Sequence, residues 1–397
     1  MKREKREEKS FFALVFAIYF QNVAGIYIHI PFCRKACHYC DFHFSTNLSR
    51  QSEMVEAICL EIRQRANYLI EDIQTIYFGG GTPSILSDKE LIHILTTIRE
   101  CFDVSTAAEI TLEANPEDLT FEKSEQILMA GVTRLSVGVQ TFSEDRLKWM
   151  NRNHTSSQTS WALRNVRKAG FKNISLDLIY AVPGMDDNEW QEDIKRTIEL
   201  NPDHISLYGL TIEENTVFGK WRKQKKITEL LEDKAAEQYI CCIRTLQEAG
   251  YNQYEVSNFS AEGFESQHNS AYWSGAPYLG VGPGAHSYTG TSRQFNVRNN
   301  AQYIELVNRG TQHYKLETLT DVQRMNESIL TRLRTVKGLS LTTFQMAFGI
   351  DLLNEKKQVI KDLRKQDLLN IDDDFISLTL SGFLVADEIS LRLFFDE

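Results

Sequence analysis

The chain has 397 residues, of which 42% are hydrophobic and 25% are charged, so it can bury a core of ordinary size and form more than one domain. Its formal net charge of −10 disfavours a broad nucleic-acid surface, because phosphate binding needs clustered Lys and Arg. The seven cysteines, three of them in one short stretch, do not form the dense pattern of a secreted disulfide scaffold. We therefore expect a cytoplasmic protein with no nucleic-acid partner and with a cofactor held by cysteines.

The first 23 residues join a charged stretch at 2–9 to a nearly apolar one at 11–20. The apolar stretch is too short to span a bilayer, and no signal-peptide cleavage pattern follows it. We expect residues 1–23 to be an N-terminal extension that lies outside the fold and need not be ordered.

From residue 25 to about 258, short apolar runs alternate with longer amphipathic segments. The predicted strands cover 26–30, 75–78, 109–113, 134–139, 173–179, 204–210 and 252–256, and three of the predicted helices cover 53–69, 88–101 and 233–249. Strands that alternate with helices predict βα units and a parallel sheet. About six consecutive units predict an α/β fold with a full or partial (β/α) barrel, whose site should lie at the carboxyl ends of the strands.

After about residue 301 the pattern becomes mainly helical, at 321–336 and 351–366, and two strand-like segments follow, at 375–379 and after Gly382. We expect a barrel domain over residues 24–300. A small C-terminal helical domain, winged-helix-like, should cover residues 301–397.

Cys33, Cys37 and Cys40 form a C-x3-C-x2-C motif directly after the first predicted strand. Three thiolates at this spacing can hold one [4Fe–4S] cluster, which normally has four ligands, so one iron would remain open to a further ligand. The same cysteines together with His38 or His43 would also suit zinc. The position of the motif, at the end of the first strand of a βα series, favours the cluster.

This cysteine motif, with Tyr39 before its last cysteine, and the segment Gly79–Pro83 resemble the radical S-adenosylmethionine (SAM) superfamily. The resemblance implies a partial barrel of radical SAM type, a [4Fe–4S] cluster on the three cysteines and a bound SAM. It also implies the residues that contact SAM, which are Tyr27, Gly80, Gly81, Thr82, Glu113, Gln140, Arg152, Asp177 and Gly209. The residue types agree, since glycines let the backbone approach a ligand and a carboxylate at the end of an apolar strand is costly unless it binds something.

Within this superfamily the chain is most similar to a group that contains oxygen-independent coproporphyrinogen III oxidases and related heme chaperones. Two features differ from the oxidases: Phe42 stands where they have a further cysteine, and the family-like sequence starts almost at the first strand. The resemblance therefore favours a chaperone that binds heme and transfers it to apo-hemoproteins, expected to be respiratory ones. The alternative is an enzyme that oxidatively decarboxylates coproporphyrinogen III.

The segment His268-Asn-Ser-Ala-Tyr272-Trp273 is the part of the chain that the resemblance associates with heme. A neutral imidazole is a common axial ligand of heme iron, and Trp273 offers an apolar face to a porphyrin. We predict that His268 binds heme, next to a glycine-rich loop at 273–286, while a hydrogen-bonded structural histidine in a loop is the alternative. The resemblance leaves room for a transient membrane-protein partner and for a homodimer.

Overall fold

The structure, a computed structural model, describes residues 23–396, so all but the last residue of the expected N-terminal extension lies outside the described residues. Six strands and the helices between them form the central part of the fold. The strands are β1 (Val23–Ile30), β2 (Asp72–Gly80), β3 (Val104–Ala114), β4 (Arg134–Gln140), β5 (Ile174–Tyr180) and β6 (His204–Gly209). They are parallel and lie side by side in sequence order, which confirms the predicted βα units.

Six helices connect these strands, and two more follow β6. They are α1 (Gln51–Gln64), α2 (Asp88–Cys101), α3 (Phe121–Met129), α4 (Glu144–Trp149), α5 (Ser156–Ala169), α6 (Asp187–Glu199), α7 (Val217–Lys223) and α8 (Glu232–Glu248). Helix α2 has the predicted bounds because Ser87 and Glu90 form a capping box at its start. Within residues 23–396, no helix is both long enough and apolar enough to cross a membrane.

Further strands extend the sheet at both edges. They are β7 (Asn252–Gln253), β8 (Asn258–Ser260), β9 (Tyr278–Val281), β10 (His286–Tyr288), β11 (Ser292–Asn296) and β12 (Tyr314–Thr318), with the helices α9 (Gln267–Ser274) and α10 (Asn300–Asn308). The order across the sheet is β12-β11-β10-β9-β1-β2-β3-β4-β5-β6-β8-β7, and β9 runs parallel to β1. The prediction of a loop at 273–286 is therefore wrong in part, because residues 278–281 pair with β1.

The C-terminal part is helical, as predicted, and contains a three-stranded antiparallel sheet. Its elements are α11 (Asp321–Leu333), β13 (Leu339–Ser340), α12 (Leu341–Phe348), α13 (Leu352–Glu355), α14 (Lys357–Lys365), β14 (Leu369–Asp372), β15 (Phe375–Leu378), α15 (Leu380–Phe383) and α16 (Ala386–Leu393). The strand predicted after Gly382 is wrong, since that segment is helical. The domain division between residues 300 and 301 stays a prediction, although β12 still belongs to the main sheet.

The two faces of the parallel strands differ sharply in chemistry. One face carries fully buried aliphatic residues that pack under the helices, such as Ile26, Ile76 and Leu135. The alternate positions carry polar side chains, and these bond to one another across neighbouring strands. A polar inner face cannot serve as a hydrophobic core, so the interior of the sheet's curve is suited to hold a polar ligand.

Candidate functional site

The three motif cysteines lie in the loop that follows β1. The Cys37–Cys40 turn is closed by a backbone bond of 3.3 Å, and Asn151 Nδ2 donates to Ala36 O at 2.7 Å, which anchors the loop to the segment after α4. His38 Nδ1 lies 2.8 Å from Trp149 O, and His43 Nε2 lies 2.7 Å from Asn300 Oδ1. Among the described residues, no group of His, Cys, Asp and Glu is arranged to hold a single metal ion. The histidine contacts favour the cysteines as the ligand set over a zinc site that includes His38 or His43.

Two donors are directed at the cysteine sulfurs. Thr82 Oγ1 donates to Cys33 Sγ at 3.3 Å, and Arg152 Nη1 donates to Cys37 Sγ at 3.5 Å. Burial raises the pKa of the Cys33 thiol to about 11 and that of Cys40 to about 12, so iron must displace their protons when it binds. A cation and a hydroxyl directed at sulfur would stabilise the thiolates, and the residues therefore fit an iron–sulfur cluster.

The glycine segment after β2 passes directly beside the cysteine loop. Gly81 N donates to Ile30 O at 2.8 Å, and a Cβ at Gly81 would lie 2.5 Å from Phe32 O. Gly80 has a φ of +102°, and a Cβ there would lie 2.5 Å from the His29 ring. Only glycine fits such positions without moving the backbone, which explains why the sequence needs glycine here.

Glu113, at the end of β3, is positioned by the neighbouring strand. Its Oε1 accepts a bond of 2.9 Å from Tyr77 OH, and its Oε2 accepts one of 3.2 Å from Gly80 N. The Tyr27 ring stacks on Tyr77 at 6.1 Å, so Tyr27, Gly80 and Glu113 lie close together. Burial raises the pKa of Glu113 to about 7, with the charge of Asp177 adding to the effect.

Arg152 connects the cysteine loop to the ends of β3 and β4. Its Nη2 donates to Asn115 Oδ1 and to Gly138 O, both at 2.7 Å, which fixes the guanidinium beside Cys37. Gln140 ends β4 with a φ of 69°, a left-handed conformation that is uncommon for a residue with a side chain. Such strain is frequent at ligand sites.

Asp177 lies on the inner face of β5, where Ser136 Oγ donates to its two carboxylate oxygens at 3.1 and 3.2 Å. Burial raises the pKa of Asp177. Gly209 ends β6 and pairs with Tyr180 at the end of β5. Both residues therefore lie on the same parallel sheet as the other predicted SAM contacts, at or near the strand ends.

His268 lies in helix α9, which begins after the N-cap residue Ser266, and not in a loop. The side chain is buried, with Nδ1 2.7 Å from Thr75 Oγ1 and Nε2 2.9 Å from Tyr272 OH. Its ring stacks on Tyr77 at 5.0 Å. Both ring nitrogens are thus engaged within the protein, and burial lowers the pKa of the imidazole to about 3, so it is neutral.

Several residues of the inner face were missed from the sequence. Tyr77 contacts Tyr27, Glu113 and His268, and Asn115 holds Arg152. Arg134 is 1% exposed on the same face, and its Nε has no hydrogen-bond partner among the described residues. The strands were predicted mainly from their apolar residues, which lie on the outer face. The polar residues that alternate with them mark the inner face, and this alternation could have identified the missed residues.

Comparison with known proteins identifies the families to which the chain is similar. Residues 27–197 match the radical SAM superfamily model, and residues 319–385 match the HemN C-terminal domain. The chain is 35% identical to the heme chaperone HemW of Lactococcus lactis over 95% of this chain and 99% of that protein. It is also 35% identical to the heme chaperone HemW of Bacillus subtilis, over 91% and 97% of the two chains.

The comparison with solved structures supports the same fold. Coproporphyrinogen III oxidase (HemN) from Escherichia coli, a radical SAM enzyme, has a TM-score of 0.81, with 97% of this chain and 93% of that chain covered. The sequence identity in this case is 23%, so the likeness concerns the fold alone. The predicted α/β fold of radical SAM type is confirmed.

Proposed function

The chain belongs to the HemW family of radical SAM proteins, and we propose that it is a chaperone that binds heme and transfers it to apo-hemoproteins. The observation that carries this proposal is the similarity to proteins named heme chaperone HemW, which extends over nearly their whole length. The C-terminal domain is part of the match, so the similarity is not limited to the barrel that all radical SAM proteins share.

Membership of the family implies a [4Fe–4S] cluster and SAM. We propose Cys33, Cys37 and Cys40 as the iron ligands, with Thr82 and Arg152 as the donors that stabilise the sulfurs. In radical SAM proteins the bound pair supplies one-electron chemistry at the SAM sulfur. We further propose that SAM lies on the polar inner face, in contact with Tyr27, Gly80, Gly81, Thr82, Glu113, Gln140, Arg152, Asp177 and Gly209.

The cluster loop supports the chaperone over the oxidase. Phe42, which stands where oxidases have a further cysteine, is 71% exposed and cannot ligate iron.

The expected partners follow from the same proposal. The recipients would be apo-hemoproteins of respiration, which allows a transient contact with a membrane protein, and a homodimer would be compatible with it. A cytoplasmic location is supported by the chemistry of the motif, because three thiols that must bind iron need a reducing compartment. Ligation of heme iron by His268 stays a prediction, and it would require the bond to Thr75 or to Tyr272 to break.

The decisive experiment compares heme retention with porphyrin synthesis. Anaerobically reconstituted protein should keep hemin through gel filtration, with a shifted Soret band, and should form no protoporphyrinogen IX from coproporphyrinogen III in the presence of SAM and a reductant. His268→Ala should change the Soret band if His268 is an axial ligand. Catalytic formation of protoporphyrinogen IX would make the oxidase the correct assignment, and failure to retain hemin would also refute the proposal.

A further inference from the structure

A cavity of about 680 Å³ lies between helix α9, the edge strands β9 to β11 and the C-terminal domain. Its volume is within the range of pockets that take small organic ligands. Tyr272 and Trp273 line the cavity, whereas His268 does not. The His268 ring lies behind this wall and bonds to the Tyr272 hydroxyl. Two of the residues that the family associates with heme, Tyr272 and Trp273, therefore face this cavity.

Resting on the proposed function, we propose that this cavity holds the porphyrin, with its two carboxylates at Arg324 and Lys337. The first support is the aromatic lining, which comes from both sides of the cavity. The barrel side contributes Tyr272, Trp273, Tyr278 and Tyr288, and the C-terminal domain contributes Phe344, Phe348 and Phe375. Two aromatic walls from different domains suit a large, flat and mainly apolar molecule.

The second support is the charge of the lining. Among the described residues, the lining contains four cationic side chains and two carboxylates, in a chain whose net charge is −10. Both carboxylates have partners of their own: Glu327 pairs with Arg293 at 2.5 Å, and Asp374 accepts bonds from Ser340 Oγ at 2.5 Å and from Thr342 N at 2.8 Å. Glu327 offsets the charge of Arg293, and two of the other cations of the lining, Arg324 and Lys337, are the proposed partners of the porphyrin carboxylates.

Arg324 and Lys337 are the cations best placed to receive carboxylates. Among the described residues, the ion-pair partner of Arg324 is Asp321, at 3.0 Å, whose side chain is 85% exposed, and the guanidinium also lies 5.7 Å from the Phe348 ring. Lys337 has no carboxylate partner in the part of the chain that the structure describes, and its ammonium lies 5.2 Å from the Phe375 ring. Each cation thus lies beside an aromatic wall, where the rim of a bound porphyrin would be.

The test measures the affinity of the full-length, anaerobically reconstituted protein for hemin and for hemin dimethyl ester, which lacks the two negative charges. Arg324→Glu and Lys337→Glu should each weaken hemin binding by about tenfold or more while leaving ester binding nearly unchanged. Lys365→Glu is the matched control, because Lys365 is exposed in the same domain and does not line the cavity, and it should bind hemin like the wild type.

A further variant tests the location of the proposed heme site without changing a charge. Ala347 lines the cavity from helix α12, so Ala347→Trp should fill it and reduce the binding of hemin and of the ester alike. Cluster absorbance and SAM binding should persist in every variant, which shows that the fold is intact. If the wild type binds hemin and all these variants bind it equally well, the cavity is the wrong site while the chaperone function stands. If the wild type does not bind hemin, the proposed function itself fails.

Discussion

Glu255→Gln tests a buried carboxyl at the junction between the barrel and the C-terminal domain. Glu255 is fully buried, its backbone bridges to Thr335, and its Oε1 accepts bonds from Ser257 N and Asn258 Nδ2. Its Oε2 has no hydrogen-bond partner among the described residues. Burial raises the pKa of Glu255 from 4.5 to about 7, although the nearby charge of Arg334 opposes the rise.

The raised pKa has a definite consequence for stability. The folded protein binds this proton more tightly than the unfolded chain, so the free energy of unfolding falls as pH rises from 4.5 to about 7 and is constant outside that window. The difference between the two pKa values contributes about 3 kcal/mol to the free energy of unfolding at low pH. Roughly 2 kcal/mol of this contribution is lost between pH 5.5 and 8. Gln keeps both acceptor bonds and cannot ionise, so the variant should not lose this stability.

The assay is urea unfolding of the wild type and Glu255→Gln at pH 5.5 and at pH 8. The free energy of unfolding of the variant, relative to that of the wild type, should be about 2 kcal/mol higher at pH 8 than at pH 5.5. Glu113 and Asp193, whose pKa values burial also raises, are present in both proteins and cancel in the difference. Glu262→Gln, an exposed position on the same segment, is the control and should show no such gain. An equal stability difference at both pH values would refute the reasoning.

Four further substitutions test the candidate site. Cys37→Ala should abolish the visible absorbance of the reconstituted cluster, while Cys101→Ala, outside the motif, should retain it; a normal cluster in Cys37→Ala would contradict the ligand assignment. Gly81→Ala should destabilise the cysteine loop, because its Cβ would lie 2.5 Å from Phe32 O, and thermal unfolding should show a lower midpoint than in the wild type. Glu113→Ala and Asp177→Ala should weaken SAM binding by about tenfold, measured by calorimetry, with the cluster absorbance intact; unchanged affinity in both would show that the pocket is misplaced.

The elements that the sequence predicts well are those with strong local signals. Helix α2 has the predicted bounds because Ser87 and Glu90 mark its start and the apolar residues repeat at helical spacing. The segment after Gly382 was misread as a strand, although Thr379 accepts a bond from Gly382 N and caps a helix there. Ser266 was an equally visible cap for the helix that contains His268, and its signal was overlooked in favour of the glycines further along.

The candidate site is predictable only in part, because its contacts depend on strand register. The sequence shows Glu113 and Asp177 at the ends of strands, but it does not show that Tyr77 and Ser136 bond to them. Those pairs arise from residues 36 and 41 positions apart in the chain, and register between parallel strands is set by packing of the whole sheet. The cavity beside the C-terminal domain is harder still to predict from the sequence, because its shape depends on the relative position of two domains.

Direct contacts along the polar inner face connect the proposed SAM pocket to helix α9. Gly80 N and Tyr77 OH share the Glu113 carboxylate, the Tyr77 ring stacks on His268, and His268 Nε2 lies 2.9 Å from Tyr272 OH. A ligand that displaces the Glu113 carboxylate therefore removes the acceptor that fixes Tyr77, and Tyr77 packs directly against the helix that carries Tyr272 and Trp273. Both ring nitrogens of His268 are bonded within the protein, Nδ1 to Thr75 Oγ1 and Nε2 to Tyr272 OH. His268 thus holds the hydroxyl of Tyr272, a residue of the cavity wall, by a hydrogen bond, and this contact does not depend on whether His268 binds iron.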